Sequence, residues 1–448
     1  MSAAHTPPWR QTVPRPQSPF HRVLPALVAL TVVPLARATP AAAQTIEAEV
    51  RALLEDPRVE AAFRHIVEHD AETMRDLVTL TEIPAPPFKE AERGQAFLAR
   101  LRQIGVDSAW VDEEGNVLGL RRGTGGSGRT VVVSGHLDTV FPEGTDVTVK
   151  MRGDTLFAPG VGDDTRGLAT VLAVLRAMNA VDLSTEADIL FVGTVGEEGL
   201  GDLRGVKHLF REGGPRIDAF ISVDGISDRR VTHEGLGSHR YRVTVKGPGG
   251  HSWGAFGLAN PAHALGRAIT YFDVAADAFT RSGPRTSYNV GVLEGGTSVN
   301  SIPFEVSMLV DMRSESQEAL VRLDSIFQRV MRRAVEEANE ARRHGDPLTL
   351  EVEMIGNRPS GEVAADHPFV QRAVAATRLL GLEPQLGRSS TDSNIPISKG
   401  IPAVTLGGGG VGGGAHSPDE WFLNENGPRG IQRVLLVLVA EAGLAPVG

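Results

Sequence analysis

The chain has 448 residues, of which 41% are hydrophobic and 22% charged, with a formal net charge of −10 at pH 7. The length predicts two or three domains, the composition is typical of a globular protein, and the acidic balance argues against nucleic acid as a partner. Because cysteine is absent, disulfides, thiolate nucleophiles and cysteine-based zinc sites are excluded. Any metal ion must be held by His, Asp or Glu.

The first 43 residues are predicted to be a signal peptide. The segment combines basic residues, an apolar run and small residues, in the order Arg10, Arg15, Arg22, the run 23–36, Ala41 and Ala43. The run is short for a bilayer crossing, and Pro25 and Pro34 interrupt it, so an uncleaved anchor is the weaker alternative. We expect cleavage after Ala43 and a periplasmic or secreted protein with no stable membrane anchor.

The segment that follows, Ile46–Leu80, has helical periodicity with many charges, which predicts one or two surface helices. The middle of the chain then alternates apolar strands with helices, a pattern typical of parallel βαβ units. These elements are the strand Thr130–Val133, the helix Thr165–Met178, and the strands Ala187–Val195 and Ala219–Val223. The pattern predicts an α/β domain built on a doubly wound, mostly parallel sheet.

From Gly237 the pattern changes to β-α-β-β-α-β, which is typical of a separate, ferredoxin-like α+β unit. Its clearest elements are the strand "SHRYRVTVKG", a helix capped by Asn260, the strand "EVSMLVDMRS", the helix Gln317–Arg343 and the strand "LTLEVEMIG". The parallel pattern resumes with Asp366–Leu379, "PAVTL" and the closing helix Gly430–Ala442. We therefore expect an α/β domain over 44–236 and 357–448, interrupted by the inserted unit at 237–356.

Acidic and imidazole side chains lie at the ends of the predicted strands or at the start of a helix. They are His136 in "VVVSGHLDTV", Asp163 in "GVGDDTRG", Glu198 in "GEEG", Asp224 in "SVDG" and His416 in "GGGAHSPDEW". Each has an ordinary explanation, since a lone histidine is commonly structural, Asp163 and Asp164 could cap a helix, and Glu197 and Glu198 could lie in a solvated loop. Because ligands bind at the carboxyl ends of strands in open α/β sheets, we expect the five to meet in one crevice.

Two imidazoles and three carboxylates suit two divalent ions about 3.5–4 Å apart, with one bridging carboxylate. Zinc is the favoured ion, with cobalt or manganese as alternatives. Asp138 is expected to orient the His136 imidazole by accepting its second N–H. Glu197, adjacent to a ligand but not required as one, is free to act as a general base towards a metal-bridging water. The pattern predicts a metal-dependent hydrolase that cleaves an amide bond.

These motifs resemble the di-zinc exopeptidases and deacylases, the family of peptidase T, carboxypeptidase G, carnosinase-like dipeptidases, acetylornithine deacetylase and succinyl-diaminopimelate desuccinylase. The likeness covers nearly the whole mature chain. It implies that Asp163 bridges the metals, that Asp138 and Glu197 are catalytic, and that the inserted unit is a lid that often dimerises. The family's substrates are small peptides or N-acyl amino acids, and the resemblance implies the same here.

The resemblance also implies that His251 in "GPGGHSWG" reaches the substrate, commonly across a dimer, and that Asn300 in "GGTSVNSIP" and Arg358 in "GNRPSG" are oxyanion or carboxylate contacts. Because a guanidinium can bind a carboxylate bidentately, a substrate that ends in a carboxylate and binds to Arg358 remains possible. The alternatives are a surface salt bridge for Arg358 and a structural role for His251. The chain departs from the family in "DDTRGL", where many members have a lysine and paired glycines. Asp224 stands where many members have glutamate, which favours the aminopeptidase and dipeptidase side.

Three other functions remain as alternatives. "GHSWG" fits the nucleophile motif of serine hydrolases, and Asp392 and His416 follow it in the expected order. That motif requires the serine to run straight into a helix, whereas "AFGLA" intervenes before Asn260. The glycine-rich "LGGGGVGGGAHS" could cradle a phosphate in a binding protein, although no Gly-Lys-Ser/Thr motif accompanies it. A pseudoenzyme that binds metal without turnover is the third.

Overall fold

The computed structural model describes residues 40–446, and the predicted signal peptide lies outside them except for its last four residues. The helices are α1 Pro40–Leu54, α2 Pro57–Glu68, α3 Asp70–Thr81, α4 Ala91–Ile104, α5 Thr165–Ala180, α6 Arg204–Leu209, α7 Pro261–Thr280, α8 Gln317–Glu340, α9 Pro368–Leu379, α10 Asn394–Ser398 and α11 Gly427–Ala442, with one 3₁₀ turn at Gly199–Gly201.

The strands are β1 Ser108–Val111, β2 Val117–Arg121, β3 Thr130–His136, β4 Lys150–Arg152, β5 Thr155–Phe157, β6 Asp188–Thr194, β7 Ala219–Val223, β8 Arg230–Gly235, β9 Gly237–Lys246, β10 Gly250–His251, β11 Thr286–Gly295, β12 Ser301–Ile302, β13 Glu305–Ser314, β14 Thr349–Arg358, β15 Gly361–Glu362, β16 Gln385–Ser389, β17 Ala403–Leu406, β18 Val411–Gly413 and β19 Trp421–Leu423.

A nine-stranded sheet forms the centre of the molecule, in the order β1-β2-β6-β3-β7-β17-β8-β15, with β16 also paired to β8. Its middle strands β6, β3, β7 and β17 run parallel to one another. Their apolar, largely β-branched residues are buried on both faces, as in α/β proteins whose sheets are covered by helices. This confirms the predicted α/β class. The parallel strands end at a common edge, where β3 finishes at His136.

The inserted segment forms its own antiparallel sheet in the order β11-β13-β9-β14, with helices α7 and α8 packed against it. This strand order and the β-α-β-β-α-β sequence confirm the ferredoxin-like arrangement. The segment has a hydrophobic cluster of its own, which includes Phe272, Phe327 and Met331. Asn260 caps α7, since its side chain accepts the backbone N–H of Ala262. Strand β14 extends to Arg358 and carries that residue to the central sheet.

The prediction of one or two surface helices over Ile46–Leu80 was wrong. Three helices cover this segment. Helix α1 ends at Leu54, and a new helix follows because Asp56 caps α2 and Pro57 occupies its first position. Their apolar faces are not at the surface, and Val50, Val59 and Ile66 belong to the main hydrophobic core. Helix α1 begins at Pro40, so cleavage after Ala43 would remove only its first turn. Across residues 40–446, no helix has the length and apolar character to cross a bilayer.

Candidate metal centre

His136 is the last residue of β3, and its imidazole is buried beneath the edge of the sheet. Its Nδ1 lies 3.1 Å from the backbone oxygen of Asp138 and 3.6 Å from the Asp138 carboxylate. Its Nε2 lies 3.1 Å from Asp163 Oδ1. One ring nitrogen is therefore engaged by the polypeptide, while the other faces the acidic cluster, which is the arrangement of an oriented ligand.

Asp163 lies between two imidazoles. Its Oδ1 faces His136, and its Oδ2 lies 3.2 Å from His416 Nε2. The same nitrogen of His416 lies 2.9 Å from Glu198 Oε1. His136, Asp163 and Glu198 offer one ligand atom each, and these three atoms lie within 4.8 Å of one another. Groups 280 positions apart in the sequence thus converge, with Asp163 in the central position.

The electrostatics of the cluster favour a cation. Hydrogen bonds to Asp163 and Glu198 raise the pKa of His416 to about 10. Burial favours neutral His136, but the carboxylates of Asp164, Asp138 and Asp163 outweigh it and raise the His136 pKa. Burial opposes ionisation of Asp163, yet the two imidazoles hold its pKa well below the usual range. The site gathers several carboxylates around two imidazoles, and a divalent ion with oxygen and nitrogen ligands fits this donor set.

Asp138 links three groups of the site. Its Oδ1 accepts the backbone N–H of Glu197 at 3.0 Å, and its Oδ2 accepts that of Glu198 at 2.7 Å. Together with the His136 imidazole, these bonds lower the pKa of Asp138 against the effect of its complete burial. Glu197 and Glu198 are only 5% and 8% exposed, so the alternative of a solvated loop is wrong.

Glu197 is paired with Arg358 across the junction between the central sheet and the inserted unit. Arg358 Nη1 lies 3.2 Å from Glu197 Oε1, and Nη2 donates to the Glu197 backbone oxygen. Arg358 is 4% exposed, so a surface salt bridge is the wrong description of this contact. Burial is the largest cause that raises the pKa of Glu197, with Glu198 adding to it and Arg358 opposing it. A carboxylate with a raised pKa is suited to accept a proton near neutral pH.

Asp224 lines the same cleft, a cavity of about 230 Å³ that also holds Asp163, Glu197, Glu198 and His416. Arg230 Nη2 donates to its backbone oxygen and lies 3.9 Å from its carboxylate. Burial, followed by the charge of Asp163, raises the pKa of Asp224. All five residues predicted as ligands thus lie around one crevice or directly beneath it.

His251 and Asn300 lie in a different place. They are exposed residues beside the short β10–β12 pair of the inserted unit, where Ser252 N–H donates to the Asn300 backbone oxygen. His251 Nδ1 accepts the backbone N–H of Trp253, which is the local role that the structural alternative requires. Neither residue lines the cleft that holds Glu197 and His416. Of the three predicted substrate contacts, only Arg358 does.

The contacts that two further carboxylates make within the site were not predicted. Asp164 caps α5 as expected from its position, but it also accepts the backbone N–H of His136 and of Gly225. Glu420 accepts N–H groups from Gly160, Gly162 and Asp163, and burial raises its pKa to about 7. The one available sign was the position of Glu420, which follows His416 in an otherwise turn-like segment.

The serine hydrolase alternative lacks its geometry. Ser252 lies in a turn after the two-residue strand β10, and nine positions separate it from α7. The Asp392 carboxylate accepts the Thr194 hydroxyl, while His416 contacts Asp163 and Glu198. Within residues 40–446, neither makes a hydrogen bond to Ser252. The elbow required by that mechanism is therefore absent from the described chain.

The chain belongs to peptidase family M20/M25/M40, whose family model matches residues 132–440. Acetylornithine deacetylase from Myxococcus xanthus is 25% identical over 366 residues, which are 79% of this chain and 90% of that one. Carboxypeptidase G2 from Pseudomonas sp. is 22% identical, over 70% of this chain and 75% of its own. A solved tripeptidase from Staphylococcus aureus superposes with a TM-score of 0.67 at 22% identity, covering 82% and 98% of the two chains. The resemblance inferred from the motifs is confirmed, and the chain is a hydrolase of this family.

Proposed function

We propose that the protein is a di-zinc exopeptidase that cleaves one amide bond of a small peptide or an N-acyl amino acid. The observation that carries the proposal is the convergence of His136, Asp163, Glu198 and His416, with Asp163 between the two imidazoles. Asp163 would be shared by two ions, with His136 and Asp224 as the further ligands of one and Glu198 and His416 as those of the other. Cobalt or manganese would suit the same donors.

Bound divalent ions would polarise the substrate carbonyl and lower the pKa of the attacking water. Glu197 would take a proton from that water and deliver it to the leaving amine nitrogen. Its raised pKa supports both transfers, because the group can hold the proton between them. Asp138 would keep the His136 imidazole and the backbone of Glu197 in fixed positions during these steps.

We further propose that the segment 237–356 acts as a lid over this cleft and forms a homodimer. Support comes from β11, an edge strand of its sheet, and from the large apolar side chains exposed beside it, among them Leu293 and Val299. His251 and Asn300, exposed and remote from the cleft of their own chain, would then serve a partner's site. Sedimentation equilibrium tests the dimer, and a monomer at micromolar concentration would reject it.

Export to the periplasm or the medium is proposed from the basic and apolar pattern of residues 1–43. Amino-terminal sequencing of protein recovered from fractionated cells tests it. A mature chain that begins at Gln44 supports the proposal, and an intact Met1 in the cytoplasmic fraction contradicts it.

The function itself is tested with zinc-reconstituted protein on a panel of dipeptides and N-acyl amino acids, together with metal analysis. Glu197→Gln should bind two ions as the wild type does, yet lose about 10²–10⁴-fold in turnover, the range expected for a general base. Glu114→Gln, which alters a partly exposed ion pair with Arg204, is the matched control and should retain turnover. Unchanged activity in the Glu197 variant would reject its role as base. Wild-type protein without stoichiometric ions would reject the metal mechanism.

A further inference from the structure

Two buried arginines lie behind the cleft without a carboxylate partner. Arg166 in α5 and Arg433 in α11 have no exposed surface. In the described chain, neither forms an ion pair. The charge of Asp70 acts on Arg166 and that of Asp228 on Arg433, each from beyond ion-pair distance, and burying a cation without a close counter-charge is costly. Burial lowers the pKa of each to about 10, which leaves both charged at neutral pH. Such a cost is expected only where the guanidinium donates hydrogen bonds to buried acceptors that an apolar side chain would leave unpaired.

Both guanidinium groups donate to backbone oxygens of the same loop. Arg166 Nε donates to the oxygen of Gly408 at 3.0 Å, and Nη2 to that of Gly427 at 3.0 Å. Arg433 Nη2 donates to the oxygen of the adjacent Gly407 at 3.1 Å, and Arg433 also donates to the backbone oxygens of Ser227 and Arg230 outside the loop. Two helices that are distant in sequence therefore hold two consecutive carbonyls at the end of β17.

This loop leads directly to His416, which follows two residues after it. Seven of the eight residues Gly407–Gly414 are glycine, so the segment pays a large conformational entropy when it is ordered. It is held sterically as well, because a Cβ on Gly430 would lie 2.3 Å from the Cα of Gly409. The His416 side chain is 56% exposed, and its ion-pair partners within the described residues are Asp163 and Glu198. Strand β18 pairs with β19 ahead of His416, so the fixed part of the segment that remains to be explained is its start, at Gly407 and Gly408.

We propose that Arg166 and Arg433 are positioning residues of the metal centre: they fix the carbonyls of Gly407 and Gly408 and thereby preset the imidazole of His416 for an ion. Arg166 lies within "DDTRGL", directly after the helix cap Asp164 and the first helical residue Thr165. The inference rests on the proposed function only in that an ion is held at His416. The ordering of the glycine loop is a separate property that can be measured without any ion.

The first experiment measures zinc affinity by calorimetric titration of the metal-free protein. Arg166→Lys and Arg433→Lys keep the charge but lose the planar fork, which reaches two carbonyls from Arg166 and three from Arg433. Each should weaken zinc binding about tenfold, the lower end of the range for residues that orient ligands. In a His416→Ala background the same lysine substitutions should cost no further affinity, because the group they position is gone. Equal losses with and without His416 would overturn the proposal.

The second experiment follows hydrogen exchange of the loop amides, including Gly408 N–H, which donates to the Gly225 oxygen at 2.8 Å. Arg93→Lys is the matched control, since Arg93 is also fully buried but donates to the oxygens of Ile83 and Leu137. Protection of 407–410 should fall in Arg166→Lys and Arg433→Lys and stay unchanged in Arg93→Lys. An equal fall in all three variants would indicate general destabilisation and overturn the proposal.

If the lysine variants do not fold, exchange in the wild type decides. The loop amides should be as protected in zinc-free protein as in zinc-loaded protein, because the arginines order them in advance. Protection that develops only with zinc would overturn the proposal. Should the wild type bind no zinc at all, the proposed function fails, and the positioning of His416 for an ion fails with it. A loop protected without zinc would then support only the separate statement that the loop is ordered in advance.

Discussion

Substitution of Asp138 by asparagine tests how one buried carboxylate organises the site. Its two oxygens accept the backbone N–H groups of Glu197 and Glu198, and its Oδ1 lies 3.6 Å from His136 Nδ1. Asparagine has one acceptor oxygen and one NH₂ group, so one of the two backbone N–H groups would face a donor. The substitution keeps the volume of the side chain and removes one charge-assisted hydrogen bond.

The expected cost follows from that single bond. A hydrogen bond to a charged group contributes about 1.5–3 kcal/mol, which corresponds to about a 10- to 150-fold change at 1.4 kcal/mol per factor of ten. Because the bond holds the backbone between Glu197 and Glu198, kcat/KM on the best peptide substrate should fall by that factor. Zinc affinity should fall about 10- to 100-fold, as for other residues that orient metal ligands.

Asp392→Asn is the matched control. Asp392 is also a fully buried aspartate, but its carboxylate accepts only the Thr194 hydroxyl, a bond that an amide oxygen can replace. Steady-state kinetics and zinc competition with a chelator compare the two variants. A loss below threefold for Asp138→Asn, or an equal loss for Asp392→Asn, would refute the reasoning from the backbone hydrogen bonds.

Three further predictions concern stability and metal binding. Burial raises the pKa of Asp392 to about 6 from 3.8, so ionisation destabilises the fold as pH rises between about 4 and 6, by about 3 kcal/mol in all. Urea unfolding of metal-free Asp392→Asn should show this stability regained across that window, and curves parallel to the wild type would reject the shift. Glu420→Gln leaves one of three backbone N–H groups facing a donor and should weaken zinc binding about tenfold through Asp163, whereas calorimetric affinity equal to the wild type would exclude this link. Gly167→Ala adds a Cβ 2.4 Å from a backbone oxygen and should lower the melting temperature. Gly266→Ala, on an open helix surface, should raise the free energy of unfolding by about 0.5–1 kcal/mol. A Gly167 variant more stable than the Gly266 variant would contradict the packing argument.

The fold was largely predictable because its central strands are encoded locally. The strand Ala219–Val223 has the same bounds in the sequence prediction and in the structure, and α5 begins at Thr165, directly after the cap Asp164. The prediction of one or two helices over Ile46–Leu80 was wrong, although the boundary between α1 and α2 is visible in the sequence. Asp56 followed by Pro57 is a helix start in the middle of an apparently continuous periodicity.

The site was predictable only in part. The end of a strand can be identified from the residues around it, whereas a contact between the sheet and the inserted unit depends on segments that are distant in sequence. The expectation that His136 and Asp163 meet follows from the common edge of parallel strands. The pairing of Glu197 with Arg358 does not follow, since it joins residues 161 positions apart through the packing of the inserted unit against the sheet. The same limit explains why Arg358 could be assigned to a substrate or to the surface, while its contact with the proposed base was not foreseen.

The buried arginines mark the point where a local pattern could have predicted more. Helix α5 is apolar around almost its whole circumference, and a helix with this pattern is buried on all sides. Arg166 lies in the fully buried part of this helix, whereas Arg176 near its end reaches Glu72 and Asp76, so Arg166 must find acceptors inside the protein. The glycine-rich loop offers those acceptors because seven residues without side chains leave their carbonyls accessible at close range. An arginine in an otherwise apolar helix therefore predicts that buried acceptors exist elsewhere in the chain. A run of glycines is one segment that can supply them.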